Sequence, residues 1–219
     1  MGGVGRGPEA KKHNNYHIEF EVVMDIDQIK TYFDKDIANH KVTTVKEDGL
    51  YRHLICSSGS YNQQFEIITW PGYLAYVGDM GSFTFCRLQD MFPFFRDDKP
   101  NFQYYAQKLE AVDKCDGYEE FDVDKFRQAI TQQAKYSLNL VDEDPLPEDA
   151  MDELYYLLHS EDEFDLLSSA SSFKSDTIDL SEWYEYGCKS YTVRYVWACF
   201  AIQWAIREYD NVNGTDSSR

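Results

Sequence analysis

A chain of 219 residues with 43% hydrophobic and 16% aromatic side chains holds enough apolar mass for one large domain or two small ones, and its 17 Tyr and 14 Phe argue against disorder over most of its length. The formal net charge of −18, from 39 acidic and 21 basic residues, repels phosphate backbones and so sets the chain against direct reading of nucleic acid. The five cysteines, Cys56, Cys86, Cys115, Cys188 and Cys199, form no C-x-x-C pair, which argues against a zinc ribbon or a disulfide framework and for reduced thiols in a cytoplasmic compartment.

Residues 1–14 are Gly-rich and basic, the composition of a flexible tail, and hold no apolar core of a secretory signal. The chain begins Met-Gly, but Arg6 stands where a myristoylation pattern needs Ser or Thr. Tyr16 to Val23 alternates polar and apolar residues and predicts a strand. His13 and His17, four apart on such a strand, sit too far from each other to chelate a metal. Asp25 can cap a helix whose apolar face carries Ile26, Ile29, Tyr32 and Phe33. Five β-prone runs follow: Lys41 to Lys46, Tyr51 to Cys56, Phe65 to Trp70, Tyr73 to Val77 and Ser82 to Cys86. The turn signals between them include Asp48-Gly49, Ser58-Gly59, Pro71-Gly72 and Gly78-Asp79, connections too short for parallel crossovers, so an antiparallel meander is expected.

From Leu88 the pattern turns helical. Leu88 to Phe95 predicts a short helix limited by Pro93, and Phe102 to Val112 a second. Asp122 to Tyr136 predicts a third, with Phe126, Ile130 and Ala134 on one face. Pro147 to His159 predicts a fourth, with Pro147 and acidic residues in its first turn. The Ser-rich stretch 168–176 reads as a loop, and Leu180 to Tyr186 as a short helix or turn. Tyr191 to Tyr209 predicts a long final helix. One stripe carries Val193, Val196, Trp197, Phe200 and Trp204; a second carries Tyr195, Cys199 and Ile202. The most apolar window, Tyr195 to Ile206, is 12 residues long and contains Gln203, short of the roughly 20 a bilayer span needs. Asn213-Gly214-Thr215 matches a glycosylation acceptor, a match without weight when no secretion signal accompanies it. Strands early and helices late predict an α+β fold: an N-terminal antiparallel sheet covered by C-terminal helices, in a single domain from 15 to 210 with a candidate subdivision near 115–121 and a second tail at 211–219.

The acid is concentrated. Between Ala111 and Glu182 stand 20 acidic and 5 basic residues, a net of −15. Within Val141 to Leu167 there are 11 acidic residues and neither Lys nor Arg: Asp142, Glu143, Asp144, Glu148, Asp149, Asp152, Glu153, Glu161, Asp162, Glu163 and Asp165. Such a run either solvates a surface or imitates phosphate spacing and occupies the cationic groove of a nucleic-acid-binding protein.

The densest group of uncommon residues runs from Tyr51 to Arg96. It contains Arg52-His53-Leu54, Ile68-Thr69-Trp70-Pro71-Gly72 with Leu74, Gly78-Asp79-Met80-Gly81, and Arg87 followed by Asp90-Met91-Phe92-Pro93-Phe94-Phe95. This succession of R-H-L, I-T-W-P-G-x-L, G-D-M-G and R-x-x-D-M-F-x-F-F resembles a family of bacteriophage and prophage proteins. Tyr104 to Leu109 with Ala111-Val112-Asp113, and Tyr191 through Trp204 to Tyr209-Asp210, fit the same pattern, so the resemblance spans about 50 to 210. The family pattern has a Glu-Lys pair where this chain has Gln107-Lys108, so that acid is not essential here. The resemblance carries no activity with it. It implies an accessory protein made during infection or lysogeny.

Within the cluster, His53 with Asp79 and Asp90 could supply a general base, its orienting carboxylate or a divalent-metal site, with Arg52 and Arg87 beside them. Each also has a structural reading: His53 in a half-buried strand, Asp79 in a hairpin turn, Asp90 as a helix cap, and Arg87 and Arg96 as surface partners of those carboxylates. No G-x-S-x-G, phosphate-binding loop, H-E-x-x-H or dinucleotide fingerprint occurs. Ser169, Ser171 and Ser172 have no base identifiable in the sequence. The expectation is therefore a non-enzymatic phage accessory protein in the bacterial cytoplasm, without metal or other cofactor. It binds a basic or nucleic-acid-binding host protein through the acidic stretch, and touches neither nucleic acid nor membrane directly. An anti-defence inhibitor is its most specific form. The alternative is a small metal-dependent hydrolase or nuclease-like enzyme built on His53, Asp79 and Asp90, and a third reading is an assembly factor for the phage particle.

Overall fold

The computed structural model describes residues 25–214. The tail at 1–14, the strand expected from Tyr16 to Val23, His13, His17 and Thr215 lie outside the described residues. The rest of the chain is α+β, with an antiparallel sheet formed early and helices formed late.

Helix α1 (Ile26–Asp36) starts in a reciprocal capping box. The Gln28 amide donates to Asp25 at 2.7 Å, and the Asp25 amide donates to the Gln28 side chain at 3.2 Å. Only Ile29 and Phe33 of its expected apolar face are buried; Ile26 and Tyr32 are exposed. Strands β1 (Lys41–Asp48), β2 (Tyr51–Ser57), β3 (Phe65–Trp70), β4 (Tyr73–Gly78) and β5 (Gly81–Cys86) follow as an antiparallel meander. The β3–β4 loop is Pro71-Gly72; proline sets φ for the first turn residue and Gly72 takes φ +89°, which an L side chain resists. Gly78 serves a different need: a Cβ there would lie 2.6 Å from the Gln64 carbonyl oxygen and from Phe65 Cβ. Edge strand β1 is interrupted by a bulge between Thr44 and Lys46, and almost all of it is exposed.

Several expectations past Leu88 are corrected. Leu88 to Phe95 is not a helix but a series of bends ending in a 3₁₀ turn at Pro93–Phe95, because Pro93 removes a donor and the apolar side chains turn inward individually. The second helix, α2 (Phe102–Ala106), stops early; Leu109–Ala111 form β6, which pairs with β5 and completes a six-stranded sheet. The Ser-rich segment is helical for most of its length: α6 runs over Glu163–Ser172, capped by Asp162.

Strand β7 (Glu119–Phe121) pairs with β8 (Lys189–Tyr191) in a two-stranded ribbon that brackets a helical insertion. The insertion contains α3 (Val123–Ser137), α4 (Glu148–Glu153), α5 (Tyr155–His159), α6 and a 3₁₀ turn at Trp183–Tyr186. The helix expected over Pro147 to His159 is broken at Leu154, whose buried side chain and φ −91°, ψ 0° mark the bend. After β8, Thr192 caps α7 (Val193–Gly214) with a 3.2 Å bond from the Tyr195 amide. This helix continues four residues past the expected domain end at 210. No helix of the described residues is long and apolar enough to cross a membrane.

Two hydrophobic clusters result. The first joins α1, the inner face of the sheet, the Met91–Phe95 segment and α7. The second joins α3 through Phe126, Ile130 and Ala134 to Leu154, Leu157, Leu166 and Trp183. Leu54, Cys56, Phe65, Ile67, Leu74, Tyr76, Phe83 and Phe85 alternate onto the inner face that α7 covers. Every α7 residue from Tyr195 to Gln203 is buried, and Trp204 is half-buried. Trp197, 1% exposed, touches the Phe33 and Phe65 rings at 5.1 and 5.7 Å and donates its indole N–H to Asp36 at 3.1 Å. Replacing Trp197 with Ala is expected to cost about 3–5 kcal/mol in urea unfolding. A loss under about 1 kcal/mol contradicts this central packing role.

Candidate functional site

The sheet geometry separates the residues that the sequence groups. Arg52 and His53 are adjacent in β2 and therefore project to opposite faces. His53 lies on the outer face, half-buried, with Nε2 2.6 Å from Glu66 Oε2 on β3. Asp79 sits exposed in the β4–β5 turn, while Asp90 follows the other end of β5, beside the Pro71-Gly72 turn. The six-residue strands between those ends are ~20 Å long. Arg87 is exposed and makes no ion pair among the described residues. The structure thus brings Arg52 and Asp90 together and leaves His53, Asp79 and Arg87 apart from them. Among the described residues no three His, Cys, Asp or Glu side chains gather as a metal site would require.

What does converge is a set of paired charges at one end of the sheet. Arg52 donates from both terminal nitrogens to Asp90, at 2.8 and 3.0 Å, and its guanidinium lies 4.4 Å from the centre of the Phe92 ring. Asp90 also accepts the Phe92 amide at 3.1 Å, so it orders the Met91–Phe95 segment as a turn, not as the helix cap expected of it. From α7, the Tyr209 hydroxyl donates to Glu47 of β1 while its ring meets Phe92 edge-on at 5.2 Å. One residue on, Asp210 accepts two bonds of 2.8 Å from Arg96.

The electrostatics follow from the pairing. The Arg52 guanidinium holds the Asp90 carboxyl below the usual carboxylate range against an opposing contribution from burial. Burial and the Glu47 carboxylate push the Tyr209 hydroxyl up. Each charge already has its partner, and the adjoining cavity of about 190 Å³, lined in part by Arg96, Gln203, Arg207 and Asp210, is smaller than the ~300 Å³ at which small-molecule pockets begin. The group is a clamp: bidentate pairs join the 90–96 segment to β2 and to the end of α7, and the Tyr209–Glu47 bond ties α7 to β1.

The acidic stretch is arranged differently. All eleven carboxylates from Asp142 to Asp165 belong to exposed residues on and around α4, α5 and α6. The same elements expose Met151, Tyr155, Tyr156 and Phe164, the last 80% accessible. Sequence reading named the acids but missed these apolar side chains. Their signal was their position within the acidic run, outside the apolar stripe of Ala150, Leu154 and Leu157 that the bend turns inward. Comparison with protein-family models, with curated proteins and with solved structures finds no match for this chain.

The clamp generates a pH-dependent prediction. Because the Asp90 carboxyl is lowered in the fold, its stabilisation is complete above the ordinary aspartate value of about 3.9 and is lost as pH falls through the lower folded value. Asp90→Asn is expected to lose about 1–3 kcal/mol near neutral pH, the usual range for a hydrogen bond to a charged group. In urea unfolding the gap between parent and variant should narrow as pH falls below the ordinary aspartate value of about 3.9. A gap that stays constant with pH contradicts the pairing.

Proposed function

We propose that the protein acts by binding another protein, with the acidic surface of α4–α6 as the contact. In this reading it is a phage accessory protein in the cytoplasm of a bacterial host, and its partner is a basic or nucleic-acid-binding host protein. An anti-defence inhibitor that fills a cationic groove is the specific form. Support comes first from the company the carboxylates keep. A surface that serves only solubility needs net charge and gains nothing from an exposed Phe164, Tyr155, Tyr156 and Met151. A contact surface uses both: charge for steering and exclusion of wrong partners, aromatic and Met side chains for the desolvated centre. The carboxylates also suit the partner class. A groove evolved for phosphates cannot readily reject correctly spaced carboxylates, and this run carries no Lys or Arg to interrupt them. The phage assignment rests on the sequence words between 50 and 210, and the anti-defence form on the charge.

Affinity purification from the bacterial host, with mass spectrometry, should identify a basic or nucleic-acid-binding partner. Replacing Asp149, Asp152 and Glu153 with Lys should leave thermal unfolding nearly unchanged, because all three are exposed, and should abolish capture of that partner. Residual binding should be much less salt-sensitive. A triple variant that captures its partner as well as the parent does reduces the acidic run to a solvated surface.

A further inference from the structure

A groove of about 410 Å³ opens between α3 and the segment leading into β8. Its α3 wall is Lys125, Gln128, Ala129 and Gln132, one helical face spaced i, i+3, i+4, i+7 and ~10 Å long. The facing wall is Tyr186, Gly187 and Lys189. The size falls within the ~300–1,000 Å³ of small-molecule sites. Its charge runs against its surroundings. The chain from Ala111 to Glu182 has a net charge of −15, yet the lining holds two lysines and no carboxylate.

The lining is graded along its length. At one end Lys125 Nζ donates to the Lys189 backbone carbonyl at 2.8 Å, which brings the Lys125 ammonium to the root of Lys189. Neither lysine forms a salt bridge among the described residues. Further along α3 come the two glutamine amides. Gln132 is fixed by donating to Asp142 at 2.7 Å. Between them Ala129, 2% exposed, is too small to fill the floor. The aromatic ring of Tyr186 belongs to the opposite wall.

We propose that this groove binds a nucleoside phosphate. The two lysines of the lining, with no carboxylate among them, carry the charge that a phosphate monoester needs. A tyrosine ring offers a stacking surface to a base, and amides that both donate and accept suit its hydrogen-bonding edge. The proposal does not rest on the acidic contact surface, since the lysines and Tyr186 lie outside that run.

The test is calorimetric titration of the full chain with AMP, GMP, CMP and UMP in turn, with inorganic phosphate and free nucleosides as controls. At least one nucleotide should bind with one-to-one stoichiometry. Phosphate alone and the matching nucleoside should each bind at least about tenfold more weakly. Lys125→Gln with Lys189→Gln, both at exposed positions, should weaken nucleotide binding by about tenfold or more while leaving thermal unfolding intact. Gln128→Ala should change the order of preference among bases without removing phosphate binding. Absence of binding by all four nucleotides at millimolar concentration overturns the proposal. So does binding that survives the double lysine variant, or phosphate binding as strong as nucleotide binding.

Discussion

Trp197 occupies the point where α1, the sheet and α7 meet, and the rest of the structure depends on how it is held. It meets Phe33 and Phe65 in edge-to-face contacts, and its one polar atom reaches Asp36, so a large side chain is buried without an unpaired donor. Around it α7 is apolar on every side from Tyr195 to Ile202, a helix that must lie within the core. Gln203 is satisfied there by donating to the Asp97 carbonyl and the Tyr105 hydroxyl, at 3.0 and 3.1 Å. Burial in turn pushes the Tyr105 hydroxyl up to about 12, so it stays neutral in that setting. The clamp at Arg52–Asp90, Glu47–Tyr209 and Arg96–Asp210 then fixes the far end of the same helix.

This arrangement divides the work of the molecule. The first cluster is sheet and long helix, with its strongest charges locked in pairs. The second is built from shorter elements hung between β7 and β8. Helices α4, α5 and α6 have 6, 5 and 10 residues, and each buries only one or two side chains. Such helices gain little from their own hydrogen bonds and are held mainly by a narrow apolar stripe. Their outer surfaces are therefore free to carry like charges and exposed aromatics at small cost to the fold. Binding surfaces belong on such elements when a rigid scaffold positions them.

Local signals were legible in the sequence; pairings across the chain were not. The five meander strands, α3 and α7 were readable because periodicity is strong at each and turn residues bound the strands. Leu109–Ala111 looked helical because it continues the pattern of α2, and only the free edge of β5 makes it a strand. The 168–176 stretch looked like a loop because serine is a poor helix former. Leu166 and Ala170 on one face and Asp162 as cap make it a helix as far as Ser172, in whose last turn Ser171 and Ser172 donate to carbonyls four residues earlier. The exposure of the acids followed from their charge. The clamp could not be read, since Arg52 and Asp90 are 38 residues apart and Glu47 and Tyr209 are 162 apart. The alternative grouping of His53 with Asp79 and Asp90 does not form, because His53 takes the outer face of β2 while Asp79 and Asp90 lie beyond opposite ends of β5.

The central claim is that α7 on the sheet forms the stable frame and the acidic helices a separate, less stable surface carried by it. Native-state hydrogen exchange resolved by mass spectrometry tests this directly. Amides of residues 195–206 and of the central strands should exchange only through global unfolding, with one common free energy, while those of residues 148–172 open at lower cost. Equal protection of the two regions, or faster exchange in α7 than in α4–α6, would contradict the account.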